Sequence, residues 1–347
     1  MLQFIVDNKF EGYRLDKYLR DQNHEYLFSR TLIEKLISEN KISVNSGTTP
    51  KKSYILKNND VINVVVENLI LRNLPLPEKE NIPLNIVYED EYLAIVNKPA
   101  GLTVHPAPGN PTGTLVNALL HYFDKNLSFS NDDDPEFRLR PGIVHRLDKD
   151  TSGVLIVAKD NKTHFELSKL FTERKVLKTY YSICLGVPEM SSGTISHPIG
   201  RSKSDRKMMR IDQNGKNALT HYAVLREYEY FSVLKVEIET GRTHQIRVHL
   251  DSINHPVLGD IVYNTLNKTL NRVPHKEQDG LKQFLTKNLN RQALHAWQLN
   301  FTHPITNKEI NANADIPIDL LETEIYLNDK YGGQYELPKQ RNELKQM

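Results

Sequence analysis

His145-Arg146-Leu147-Asp148-Lys149-Asp150-Thr151-Ser152-Gly153 packs five titratable side chains into six positions and ends in a Thr-Ser-Gly turn. Val154-Leu155-Ile156-Val157-Ala158 follows without a break. An apolar run of that length reads as a buried strand. A charged loop feeding a buried strand sets reactive side chains on a rigid support, and sites are commonly built that way.

The other limits are broad. A chain of 347 residues has room for about two domains with ordinary cores. Its 39% hydrophobic and 25% charged residues are the proportions of a globular protein in water. No apolar stretch approaches the roughly 20 residues of a membrane span. The first residues lack the basic region and apolar core of a secretory signal. A cytoplasmic protein with no membrane association is expected. The single cysteine, Cys184, excludes an intramolecular disulfide and a multi-cysteine zinc site. Net charge is only +2, but six basic residues face two acidic ones over 196–224, and again over 265–295. Such local stretches suit a phosphate-bearing partner.

Residues 1–68 have their own pattern. Leu15, Tyr18 and Leu19 share one helical face; Ser29 can cap a second helix whose buried stripe is Leu32, Ile33, Leu36 and Ile37. Residues 42–45 and 61–66 read as short strands around a polar turn. Residues 69–83, with Pro75, Pro77 and Pro83, read as a stiff linker. The larger domain is expected over 84–327. A hairpin (86–88 and 92–96) opens it, and a helix through Leu115, Ala118, Leu119 and Tyr122 follows, capped by Gly113 or Thr114. Later strands alternate, Val233, Lys235, Glu237 and Glu239 against Leu234, Val236 and Ile238. Residues 131–136 read as a solvated loop, and 328–347 as a polar, disordered tail. Strands dominate, so the class is α+β with a mostly antiparallel mixed sheet.

Arg146-Leu147-Asp148 resembles the active-site motif of the RluA/RluD family of RNA pseudouridine synthases, in which the Asp after Arg-Leu is catalytic. Four further segments match that family in its own order. They are Asn97-Lys98-Pro99-x-Gly101-Leu102 with His105-Pro106, Lys178-Thr179-Tyr180, the run from Gly241 to His249, and Leu294-His295-Ala296 with His303-Pro304. Arg14-Leu15-Asp16, Ser29-Arg30, Val44-Asn45 and Asp60-x-Ile62 resemble an S4-type RNA-binding domain. Asn40 and Ser46 stand where that domain usually has glycine, and Asn tolerates the left-handed conformation. Tyr263-Asn264 stands where the synthases usually have Tyr-Gly, and Asn is again read as a left-handed substitute. The basic insert after it, about 265–290, is expected to face RNA or to be decoration.

The resemblance implies a pseudouridine synthase catalytic domain behind a small S4-like α/β domain. It implies an RNA substrate, large-subunit ribosomal RNA before transfer RNA, and a monomer with no obligate protein partner. Pseudouridylation breaks the N1–C1′ bond, turns the uracil and forms a C5–C1′ bond. No electrons or groups enter, so neither cofactor nor metal is required. A nucleophilic carboxylate is required. An unperturbed Asp has a pKa of about 3.9 and is already charged at neutral pH, so its needs are orientation and desolvation, which an arginine supplies.

By resemblance, Asp148 is the nucleophile and Arg247 its ion-pair partner. Thr243 as N-cap, with Ile246, Leu250 and Ile253 as core stripe, puts Arg247 in the first turn beside a buried face, where a charge needs a partner. Gly241 is expected to permit a tight approach. Tyr180 resembles the residue that stacks on the target base, with a part in proton handling left open. Tyr181 then faces away. Lys178, on the face of Tyr180, is expected on the substrate backbone or the active-site carboxylate. A base inside a helix must be flipped, and Arg146 resembles the residue that fills the vacated stack. His145, in the substrate-binding set, is read as a brace rather than a proton carrier, and Asp150 as support for the loop. Arg14 and Arg30 are the RNA-contacting candidates of the small domain.

Other classes fit poorly. Ser152, His145 and Asp148 lie within eight residues and lack a Gly-x-Ser-x-Gly elbow, which disfavours a hydrolase. The 13 histidines include no His-x-x-x-His pair beside an acid, which disfavours a metalloenzyme. A non-catalytic RNA-binding assembly factor would not require Asp148, Tyr180 and Arg247 together.

Overall fold

The computed structural model describes residues 2–22, 30–45, 50–51, 53–65, 77–106, 110–123, 141–202, 205 and 208–332; the side chains of Arg30, Thr31, Leu32, Lys35 and Asn161 lie outside that description. Ser29, Ser46, Pro75 and the loop over 131–136 also fall outside it.

The small unit folds around β1 (Leu2–Ile5), α1 (Leu15–Asp21), α2 (Arg30–Ser38), β2 (Ile42–Val44) and β3 (Val61–Val64). Its three strands are antiparallel in the order β1-β3-β2. Alternate residues of β2 and β3 meet Leu15, Leu19, Ile33 and Leu36 in a core of their own. The first strand has no clear sequence signature, because the exposed Ile5 breaks the match between its apolar residues and its alternating burial. Asn40 is left-handed, with φ 58°, as expected for an Asn in a glycine position.

The large unit is built on one sheet. Its strands are β4 (Ile86–Glu89), β5 (Leu93–Lys98), β6 (Ser152–Ala158), β7 (Leu177–Leu185), β8 (Ser192–Ile195), β11 (Thr220–Glu227), β12 (Phe231–Ile238), β13 (Leu294–Thr302) and β14 (Glu309–Asn313). A separate ribbon pairs β9 (Ile199–Arg201) with β10 (Met209–Ile211). The order is β4-β5-β6-β13-β7-β12-β11-β8, with β14 on β13. The β6–β13 pairing is parallel and the others are antiparallel. The apolar run after the charged loop is β6, buried throughout. Gly153 opens it with φ +116°, and a Cβ there would stand 2.1 Å from the Ala296 carbonyl oxygen of β13. Only glycine meets both demands.

Helices α3 (Leu115–Phe123), α4 (Asn161–Thr172), α5 (Gln245–Ser252), α6 (Leu266–Leu270), α7 (His275–Asn288) and α8 (Ile318–Tyr331) complete the unit. Two expectations change here. The basic insert is helical and partly structural: Leu281 and Leu285 of α7 enter the main core, and Phe284 stacks on Tyr326 of α8 at 3.9 Å. Its lysines occupy the outward face, as amphipathic spacing requires. The tail starts later than expected, because α8 continues to a buried Tyr331.

Candidate active site

Asp148 lies in the loop before β6, which is pinned residue by residue. Thr151 N–H donates to the Asp148 carbonyl at 3.2 Å. Lys98 Nζ donates to the carbonyls of Lys149, Pro99 and Leu102, each at 2.9 Å. Arg291 Nη1 donates to the Asp150 carbonyl at 3.2 Å while its fork grips Asp319. Gln292 Nε2 donates to Thr151 Oγ1 at 3.2 Å. Two buried cations thus hold the backbone carbonyls of the loop. Burial pushes the Lys98 ammonium down to about 7, against the charges of Asp150 and Asp148 that hold it up. Only its protonated form has an N–H for each of the three carbonyls.

The second half of the site comes from the start of α5. Arg247, third residue of that helix, is buried, with side-chain exposure of 6%. Its Nη1 donates to Asp148 Oδ2 at 3.0 Å. Its Nε and Nη2 donate to Asp260 Oδ2 and Oδ1 at 2.6 and 2.8 Å. Asp260 is fully buried and also accepts from the backbone N–H groups of Val262 and Tyr263. Burial works against the Arg247 charge, but the bonds and charge of Asp260, aided by Asp148, outweigh it and push the guanidinium further up. The guanidinium carbon lies 5.1 Å from the Tyr263 ring centroid, a cation–π contact. One arginine is therefore spoken for by Asp260 and offers its remaining amine to Asp148.

Arg146, Asp148, Tyr180, Arg242, His244 and Arg247 line one open pocket. Arg146 is exposed. Tyr180 is buried to 8%, and burial, with the Asp148 charge, pushes its phenol up so that it stays protonated. Tyr181 faces the other side of the sheet, where it packs edge-on to Trp297.

The remaining candidates lie elsewhere. Lys178 does not reach Asp148; its Nζ donates to the Glu239 carbonyl at 3.3 Å and lies over the Phe171 ring. His145 points inward, accepting the Ile156 N–H at Nε2 (2.8 Å) and stacking on Phe171. Burial pushes its imidazole down to about 3, so it is neutral. It braces the loop and is turned away from the pocket. Arg14 lies in the small unit with its fork on Asp16 at 2.9 Å. The backbone of Arg30 begins α2, while its side chain is outside the description.

Three local expectations are corrected. Thr243 is not the N-cap of α5: His244 is, in the left-handed region (φ 56°, ψ 20°), without a side-chain cap bond. The Gln245 side chain ties the preceding loop to the first residue of α5, accepting from Thr240 Oγ1 and Arg242 N. Gly241 makes no tight approach, since a Cβ there would meet nothing within 4 Å; its smallness leaves the pocket open. Asn264 is not left-handed. It is a buried amide, donating to the Val257 carbonyl and accepting from Thr269, which a glycine could not do. Sequence reasoning left Asp260, His244 and Tyr263 without roles. The available signal for Asp260 was the geometry of arginine, whose five donors exceed what one carboxylate satisfies.

Comparison with known proteins places this arrangement. The family description "RNA pseudouridylate synthase" matches residues 92–252. An uncharacterized RNA pseudouridine synthase of Aquifex aeolicus is 43% identical over 311 residues, 88% of this chain and 90% of that protein. The ribosomal large subunit pseudouridine synthase D of Zymomonas mobilis is 39% identical over 326 residues, 92% of this chain and 95% of its own. The solved structure of human RNA pseudouridylate synthase domain containing 4 is similar at a TM-score of 0.52 and 27% identity, covering 70% of this chain and 93% of that one. The chain belongs to the RNA pseudouridine synthase family, of the RluA/RluD type, and is an isomerase that turns uridine into pseudouridine in RNA.

Proposed function

We propose that the enzyme modifies uridines of large-subunit ribosomal RNA, with Asp148 as the nucleophile. The observation that carries the chemistry is the asymmetry of one carboxylate. Arg247 addresses Oδ2 of Asp148, and Oδ1 has no hydrogen bond among the described residues, in the pocket that Tyr180 also lines. An oriented oxygen with a free lone pair is what attack at the sugar–base junction needs. The N1–C1′ bond breaks, the uracil turns, and C5–C1′ forms; the proton lost from C5 balances the one gained at N1. Tyr180 holds the base by stacking, Arg146 takes its place in the RNA stack, and Lys178 and His145 keep the loop and β7 in place. No helix among the described residues is long and apolar enough to cross a membrane, and a cytoplasmic monomer is the working assembly.

The ribosomal substrate is supported by relatives named ribosomal large subunit pseudouridine synthase D, 39% and 37% identical in Zymomonas mobilis and Haemophilus influenzae. It is also supported by the small unit, residues 1–68, read as an S4-type RNA-binding domain joined through 69–83 to the catalytic domain. Arg14, Lys17 and Arg20 line an open groove along α1, with the buried Asp16 anchoring the first of them. Arg30 belongs to the same reading. The deciding experiment is tritium release from ribosomal RNA labelled at uridine C5. Asp148→Asn, which keeps size and loses charge, is expected to abolish release; equal release from both proteins would remove Asp148 from the mechanism. Replacing Arg14, Lys17 and Arg20 together by Ala should weaken RNA binding and flatten its salt dependence by about one unit of slope per lost phosphate contact. An unchanged salt slope would remove the groove from the RNA interface.

A further inference from the structure

His244 has no role in the chemistry above, yet the fold goes to some length to hold it at the site. It is the left-handed residue between the Gly241-Arg242-Thr243 loop and α5, a conformation unfavourable for a non-glycine residue. It lines the pocket with Asp148, and its Nε2 lies 3.9 Å from Asp148 Oδ2. Its Nδ1 is 2.9 Å from the Tyr263 hydroxyl, and the two rings meet edge to face. Tyr263 in turn lies against Arg247. Both neighbours of the Asp148 carboxylate therefore rest on one tyrosine.

Hydrogen bonding around Tyr263 links the imidazole proton to the hydroxyl proton. The hydroxyl accepts from Met209 N–H at 2.9 Å and has one proton to give. Its two acceptors are the Met209 carbonyl at 3.1 Å and His244 Nδ1 at 2.9 Å. We take the hydroxyl to donate to Nδ1, which leaves the neutral imidazole protonated at Nε2, because the other tautomer would set the Nε2 lone pair against the Asp148 carboxylate. That sets an N–H dipole, instead of a lone pair, against the carboxylate. At 3.9 Å the contact is a charge–dipole interaction and not a hydrogen bond. It falls on Oδ2, the same oxygen that Arg247 holds.

We propose that His244, anchored by Tyr263, is a positioning residue for Asp148: with Arg247 it engages Oδ2 from a second side and so presents Oδ1 to the substrate. The inference rests on Asp148 being the nucleophile. It predicts a pH signature. The groups facing the imidazole are Asp148, Arg247, Asp260, Arg146 and Tyr263. Burial lowers its pKa, Asp148 and Asp260 raise it, and Arg247 and Arg146 lower it, with the net effect downward from 6.5. The ring is neutral at pH 7 and charges on acidification. An imidazolium beside Asp148 withdraws charge from the nucleophile, so the rate falls on the acid side.

The experiment is single-turnover pseudouridylation of C5-tritiated ribosomal RNA at saturating enzyme across pH 5–8. It compares wild type, Asp148→Asn, His244→Asn, His244→Gly and Tyr263→Phe. Asn and Gly both accept the left-handed backbone, so these variants remove the imidazole and leave the turn. Both are expected to slow the chemical step on the order of 10- to 100-fold, as for a misplaced catalytic group. Both should also lose the acid limb, with RNA affinity unchanged. Tyr263→Phe should move that limb. A wild-type rate and limb in both His244 variants, beside an inactive Asp148→Asn, overturns the role of His244 alone; an active Asp148→Asn overturns the nucleophile assignment first. A second measurement needs no change at 244. In 15N-labelled protein the His244 ring should be the Nε2–H tautomer, and Asp148→Asn should lower its pKa. A ring whose titration ignores Asp148 refutes the coupling even if the variants misfold.

Discussion

Tyr180 and Tyr181 are consecutive residues of β7, and each leads to a buried arginine–carboxylate cluster on its own face of the sheet. Behind Tyr181, the Glu324 carboxylate accepts from Tyr181, Tyr228 and Arg226. Both of its oxygens are bonded, and the group is 4% exposed. On the Tyr180 side, Asp260 is closed in the same way, but Asp148 has one oxygen engaged and its side chain is 19% exposed to a pocket. The two clusters share their chemistry and differ in completion. A carboxylate bonded at both oxygens is a strut, and one with a free oxygen facing an open pocket can react.

The comparison is tested most severely at Arg247. Arg247→Met is expected to lower the single-turnover rate on the order of 10³-fold, as when an electrostatic anchor at a reacting charge is removed. It should also destabilise the fold, because it strands Asp260 in a fully buried position. Arg247→Lys cannot reproduce the fork and should recover little of either loss. A rate within tenfold of wild type would show that Asp148 does not depend on the arginine.

Glu324→Gln addresses the opposite face. Breaking a buried pair at one partner costs about 3–5 kcal/mol, to be read by denaturant unfolding. The turnover of the remaining folded enzyme should be unchanged. Loss of turnover without loss of stability would mean that the faces are coupled.

A smaller effect comes from acid. His295 is fully buried, with Ser152 Oγ at 2.9 Å from Nδ1 and the Ala314 carbonyl at 3.3 Å from Nε2. Burial pushes it down to about 4. Its folded pKa lies below the unfolded 6.5, so the unfolded state binds the proton first. Stability contributed at neutral pH is therefore lost as pH falls from 6.5 to about 4, an amount of roughly 3 kcal/mol for this group. His295→Gln should flatten the unfolding free energy over that range. An identical pH dependence would place the acid sensitivity elsewhere. Smallest of all, Tyr181→Phe removes one of three bonds to Glu324. It should cost about 1 kcal/mol with turnover intact, whereas Tyr180→Ala should slow turnover by loss of stacking.

Legibility in the sequence followed the range of the interaction. The buried strand β6, the hairpin β4–β5, α3 and the stripes of α1 and α2 were readable because neighbours along the chain determine their periodicity. The Tyr180/Tyr181 division was readable because strands alternate. Motif order made Asp148, Tyr180 and Arg247 candidates for one site. The contact of Lys178 with the active-site carboxylate misled because Lys178 shares a face with Tyr180, yet lies two residues, one full pleat, further along that face. Thr243 misled because capping propensity is local, while the left-handed turn at His244 is set by contacts with Tyr263 and the pocket.

By itself the sequence determined the family, its chemistry and the fold class, and it named the candidate side chains, since residue type and near-neighbour spacing carry that information. Tertiary structure alone decided which oxygen of Asp148 is free, that Asp260 occupies the arginine's fork, and that Lys98 and Arg291 hold the loop's carbonyls. Asp260 and Arg291 lie more than 100 residues from the loop they serve. Their pairing depends on strand order and helix placement, and no local pattern encodes whether a carboxylate is bonded at one oxygen or at both.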